Sequence, residues 1–85
     1  AGTVLASPPA LRGAKLNYAN LRRAALEAAD LTSAALSVVV FNEARLREAK
    51  LQHTDLTDSD LSEADLTDAD LSHANLTAAR LHKAN

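Results

Sequence analysis

The chain contains no cysteine, methionine or tryptophan, and only two glycines and two prolines among its 85 residues. Without cysteine there is no disulfide framework, no thiolate zinc site and no cysteine nucleophile. With glycine only at Gly2 and Gly13, no phosphate-cradling loop can be assembled. Aromatic residues are limited to Tyr18 and Phe41, so the basic group Arg12, Lys15, Arg22 and Arg23 lacks the interleaved stacking platforms of a single-strand binder. No nucleic-acid partner is expected. The longest apolar stretch free of charge, around residues 36–41, is far too short to cross a bilayer, and no basic-then-apolar leader precedes it. No membrane partner is expected either, and no compartment follows.

Charge is unevenly placed. Residues 1–50 carry a net +3 and residues 51–85 a net −5. Asp55, Asp58, Asp60, Glu63, Asp65, Asp68 and Asp70 fall in one stretch without Lys or Arg, and any argument from charge must rest there.

What the sequence has in quantity is repetition. Leucine stands at 11, 16, 21, 26, 31 and 36, Phe41 takes the next slot, and leucine returns at 46, 51, 56, 61, 66, 71, 76 and 81. Two residues before each slot sits a small residue, usually Ala, with Pro9, Val39, Thr54 and Ser59 as exceptions. A helix would turn each five-residue step by about 140° and scatter the leucines around its surface. A straight strand would send successive leucines to opposite faces, because five is odd. A constant inward leucine requires a chain that turns a corner once per unit and stacks coil upon coil, which is a β-solenoid. Repetition also supplies what a chain of this length needs, since a single ordinary core is marginal at this size.

These residues resemble the pentapeptide-repeat proteins, whose unit reads A-(D/N)-L-x-x. Ala29-Asp30-Leu31-Thr32-Ser33, Ala64-Asp65-Leu66-Thr67-Asp68 and Ala69-Asp70-Leu71-Ser72-His73 match it in full, and the register covers about nine-tenths of the chain. The resemblance implies an all-β fold, a right-handed quadrilateral parallel β-helix with four units per coil. Residues 9–85 then form just under four coils, about 19 Å of rod at the spacing of β-structure, and residues 1–8 form a lead-in or N-terminal cap. Leu31 is expected between Leu11 and Leu51, and Phe41 in the column of Leu21, Leu61 and Leu81. The slot shared by Phe41 and Val39 reads as locally overfilled.

Function is less legible. Flat faces around a filled interior offer no shielded pocket for a nucleophile and its base, so no catalytic residue is assigned and no enzyme is expected. His53 and His73 share an outward column, but two ligands alone make a weak metal site and exposed stacking is expected instead. No cofactor and no metal are expected. Two features remain as candidates for contact with an unidentified protein. Tyr18, Val38 and Val40 point outward by phase and form an apolar patch on an otherwise polar surface. Glu43 over Glu63 and Glu48 over Asp68 form a candidate acidic surface. The resemblance gives the latter a meaning, because members of the family that protect DNA gyrase present an acidic rod in imitation of DNA. In other columns opposite charges alternate, as in Asp30, Lys50 and Asp70, which suits soluble ladders better. The leading expectation is therefore a non-catalytic scaffold for protein–protein interaction, with an acidic DNA mimic as the alternative.

The sequence begins at Ala1, and Ala84-Asn85 reads as the opening of another unit. The expectation is a fragment of a longer chain, or a homodimer meeting end to end around Leu66, Leu71, Leu76 and Leu81. The outward Thr57 is expected to tolerate aspartate.

Overall fold

The structure, a computed structural model, describes residues 9–85; the lead-in or cap expected over residues 1–8 lies outside them. The expected register holds over the described residues. Ala10 bridges Asp30, Asp30 bridges Lys50, and Lys50 bridges Asp70, all parallel, and the same twenty-residue step recurs at every unit as far as Asp60 and Arg80. Four five-residue units per twenty-residue step make a four-sided coil. Coil 1 spans residues 9–28, coil 2 29–48, coil 3 49–68 and coil 4 69–85.

Within a unit each backbone N–H has a separate task. In the unit 29–33 the Lys50 carbonyl accepts from Leu31 at 2.8 Å, while the Lys50 N–H donates back to Ala29 at 2.8 Å. The Ser33 N–H reaches Gln52 in the next coil at 2.8 Å, and the Ala34 N–H closes the corner onto the Leu31 carbonyl at 3.0 Å. Pairing between coils thus replaces the long ladders of an ordinary sheet, with one bridge per face and a corner between each.

The corner sets a backbone demand that the sequence largely ignores. Its third residue lies in the left-handed region at every described unit from Gly13 (φ 69°) to Lys83 (φ 58°), and only the first of these is glycine. A non-glycine residue held there costs about 1–2 kcal/mol, with Asn, Asp and His tolerating it best and β-branched residues worst. Val38, at φ 56°, is the poorest fit. Val38→Asn is therefore expected to stabilise the protein by about 1 kcal/mol, read as a higher melting temperature. At Gly13 an added Cβ would meet nothing within 4 Å, so Gly13→Ala tests the backbone term alone and should lower the melting temperature.

Leucines and small residues fill the channel. Leu31, Leu36, Phe41, Leu46, Leu51, Leu56 and Leu61 are completely buried, and the buried core runs from Leu26 to Ala64. Leu11, Leu16 and Leu21 below it and Leu66, Leu71 and Leu76 above it are partly buried against this cluster. The gradient follows from the architecture, since a side chain in a one-dimensional stack is enclosed only by coils on both sides. Two hydroxyls enter this channel in small-residue slots. Thr54 donates to the Leu51 carbonyl at 2.9 Å and Ser59 to the Leu56 carbonyl at 2.8 Å, so neither hydroxyl is buried without an acceptor.

Candidate functional site

One N–H per unit, that of the residue after leucine, finds no backbone acceptor in this arrangement, and in seven of the described units an Asp or Asn before leucine supplies one. The Asp65 carboxylate accepts from the Thr67 N–H at 3.1 Å and from its hydroxyl at 2.5 Å. Asp30 with Thr32 and Asp55 with Thr57 repeat both contacts, and Asp70 receives both from Ser72. Asn75 does the same for Thr77 at 3.0 and 2.6 Å, which shows that an amide oxygen serves as well. These are side-chain clamps on the chain as it leaves the leucine. The Ser and Thr residues, which periodicity alone marks as polar filler, are half of each clamp. Thr57 is among them, so aspartate at that position would remove the hydroxyl donor to Asp55 and set one carboxylate against another; the expected tolerance does not follow from the geometry.

The acidic stretch therefore divides in two. Asp55, Asp60, Asp65 and Asp70 are clamp residues whose carboxyls are held below the ordinary value near 3.8, first by the hydroxyl of the following Ser or Thr and then by its backbone N–H. Asp58, Glu63 and Asp68 stand at left-handed corners instead. Because folding depresses the clamp pKa values, the stability they contribute is present above pH 3.8 and lost as pH falls through the folded-state values. Melting temperature should be flat near neutrality and drop below about pH 4. Replacing Asp55, Asp60, Asp65 and Asp70 by Asn keeps the acceptors and should flatten that drop; an unchanged acid transition would assign it elsewhere.

The remaining candidates are placed as follows. Glu43 lies 3.4 Å from an Arg22 guanidinium Nη and 3.6 Å from Arg23 Nε, so coil 1 draws on its charge. Glu63 sits over Glu43 and Asp68 over Glu48 at the corners, through the Glu43 N–H to Ser62 and the Glu48 N–H to Thr67. Glu27 pairs with Arg45 at 3.8 Å, although Arg47 is the residue one coil above it. The imidazoles of His53 and His73 stack at 4.9 Å between centroids and 4° between planes, and among the described residues no group of three or more His, Asp or Glu is arranged to hold a metal ion. Leu66, Leu71 and Leu76 are half-buried and Leu81 is 44% exposed.

Tyr18 is 77% exposed, Val38 40% and Val40 36%. The three are contiguous by register. Tyr18 donates its N–H to Ser37 next to Val38, and Asn20, Val40 and Asp60 bridge in series. Val40 also occupies a clamp position, where its side chain offers the Asn42 N–H no acceptor.

The model of the pentapeptide repeats family (8 copies) matches at residues 10–42, 26–62, 40–77 and 54–85. A comparison with curated proteins gives no match. Among solved structures, a pentapeptide repeat protein from the thylakoid lumen of Arabidopsis thaliana superposes with a TM-score of 0.66 at 38% identity, over 91% of this chain and 50% of that one. A pentapeptide repeat protein from Nostoc superposes with a TM-score of 0.57 at 33% identity, over 87% of this chain and 65% of that one. The chain thus spans half to two thirds of the length of these relatives. The twenty-residue register, the leucine channel and these matches agree, and the chain belongs to the pentapeptide-repeat family, with its right-handed quadrilateral β-helix.

Proposed function

We propose that this protein is a non-catalytic scaffold that binds another protein through the corner and face formed by Tyr18, Val38 and Val40. One observation carries the reading: Val38 and Val40 expose apolar side chains next to each other, and Val38 does so at a strained corner. Val38 places a β-branched residue at a left-handed corner, and Val40, in one of the eight described units without a clamp, adds an exposed apolar side chain beside it. Neither side chain is buried in return. Local strain kept without a packing reward is the usual signature of a surface selected for contact. A rigid rod with fixed columns suits that task, because contact residues on it need little further ordering on binding.

Acidic mimicry of DNA has less support. It needs negative charge running along the axis, and no corner column here carries more than two acids in succession: Arg23 and Lys83 close one such run, and Ala28 precedes the other.

The test is a variant that separates stability from contact. Val38→Asn with Val40→Asn restores a tolerant corner residue and a clamp acceptor, so it should melt higher than the parent protein. It should also recover less of any partner in affinity capture from the source organism. A variant that melts higher and captures the same proteins in the same amounts would remove the patch from the function.

A further inference from the structure

The surface around Val38 and Val40 has a charge order that fits one occupant in particular. Three columns cross it, and their stacking is fixed by the twenty-residue register. Lys15 bridges Ala35, which bridges Asp55. Asn20 bridges Val40, which bridges Asp60. Between them the Tyr18 N–H bonds Ser37 and the Val38 N–H bonds Thr57, which places Val38 over Tyr18 and Asp58 over Val38. Read coil by coil, the surface is basic and hydroxylic in coil 1, uncharged in coil 2 and acidic in coil 3. The middle row has no ionisable side chain across the strip, and the rows on either side have opposite sign.

We infer that this surface pairs with the same surface of a second copy, the two rods running antiparallel about a two-fold axis through coil 2. The inference rests on reading Tyr18, Val38 and Val40 as a contact surface, and it names the partner. With the axis lying across the strip, each column faces its own copy in reverse order. Val38 then meets Val38 at the corner, with Val40 flanking it on the adjoining face, which covers the most exposed apolar atoms of coil 2. Lys15 meets Asp55 of the second copy, and Asp55 meets its Lys15. The Tyr18 hydroxyl meets the Asp58 carboxylate, which in its own chain is an exposed corner group stacked next to Val38 and Ala78. Asn20 offers its amide to Asp60, with Arg22 beside it.

The parallel alternative fails on the same residues. An axis along the rod would place coil 1 against coil 1 and coil 3 against coil 3, so Lys15 would face Asn20 and lose its acidic partner, and Asp55 would face Asp60 with like charge. Charge order therefore selects the antiparallel register. The contact is three coils high and straddles one corner of the rod, well below the area of a permanent dimer, so the pairing is weak and reversible. It is also sensitive to salt, because the coil 1 and coil 3 contacts are exposed.

Sedimentation velocity and concentration-dependent amide NMR shifts from micromolar to millimolar protein test the inference. The parent protein should show a reversible monomer–dimer equilibrium that weakens in high salt, with shifts gathered on coils 1 to 3 of this strip. Lys15→Glu and Asp55→Lys should each weaken self-association about tenfold or more, since each reversal spoils two symmetric contacts. Circular dichroism should show both variants folded, as lysine already occupies position 50 and aspartate position 70 of an equivalent column. Mixing the two variants should restore pairing. The glutamate introduced at position 15 of one chain then faces the lysine introduced at position 55 of the other, while the unchanged Asp55 and Lys15 face each other as before. Val38→Asn with Val40→Asn should abolish pairing while melting no lower. A parent protein that stays monomeric at millimolar concentration would overturn self-pairing, while leaving the scaffold reading to its own capture test. So would a dimer that the single charge reversals leave intact, or one that mixing fails to restore.

Discussion

Leu51→Asp should abolish cooperative folding at neutral pH. Leu51 has no exposed surface, stands in the column of Leu31 and Leu71, and its carbonyl already takes two donors from Thr54. An aspartate there loses the leucine's packing, a loss of about 2–5 kcal/mol, and leaves an ionised carboxylate in a dry channel with no donor available. Small domains are stable by only about 5–15 kcal/mol, so the combined loss is comparable with the whole. Position adds to the effect: coil 3 lies between coil 2 and coil 4, and in a stack held by nearest-neighbour contacts its loss uncouples both. Far-UV circular dichroism and thermal melting measure this directly, with Ala78→Asp as the control. Ala78 is an exposed corner residue at φ 58°, a conformation aspartate tolerates, so the control should melt within a few degrees of the parent protein. Equal damage by both substitutions would refute the assignment of inward and outward positions.

Phe41→Ala should cost about 3–5 kcal/mol, the usual range for removing a buried phenylalanine. At about 4–8 °C per kcal/mol for a domain of this size, the melting temperature should fall by roughly 15 °C or more. Periodicity marks the slot as overfilled, because Val39 and Phe41 both exceed the residues they replace. The structure accommodates both with no exposure above 1%, and Ser59, smaller than valine, occupies the coil above Val39. Phe41→Leu, which returns the column to its common residue, should cost much less than the alanine substitution. If leucine costs as much as alanine, the phenylalanine ring is filling space that the leucine column cannot close, and the surrounding coil is shaped around it.

Much of the protein was legible because one constraint recurs fifteen times in the sequence. A leucine every five residues excludes both a helical stripe and a flat strand, and this fixes the inward column, the corner and the twenty-residue stack before any coordinates are known. The outward phase of Tyr18, Val38 and Val40 follows from the same count, as does the column shared by His53 and His73. The clamps were harder to see. Asp-Leu-Thr is visible as a string, but its meaning depends on where each backbone N–H goes, and only the stacked coil leaves the N–H after leucine without a backbone acceptor. For the same reason the acids of residues 55–70 looked like one surface and are two populations, one engaged in holding the chain and one at exposed corners.

Period and residue type are local properties, so the sequence by itself determined the inward leucines, the register and the family. Tertiary structure decided what depends on neighbours twenty residues away: which leucines are fully enclosed, that Glu43 lies beside two arginines, and that Glu27 pairs with Arg45 and not with the residue directly above it. Enclosure and ion pairing are set by the distances between coils and by the reach of side chains across them, and neither is written into a single five-residue unit.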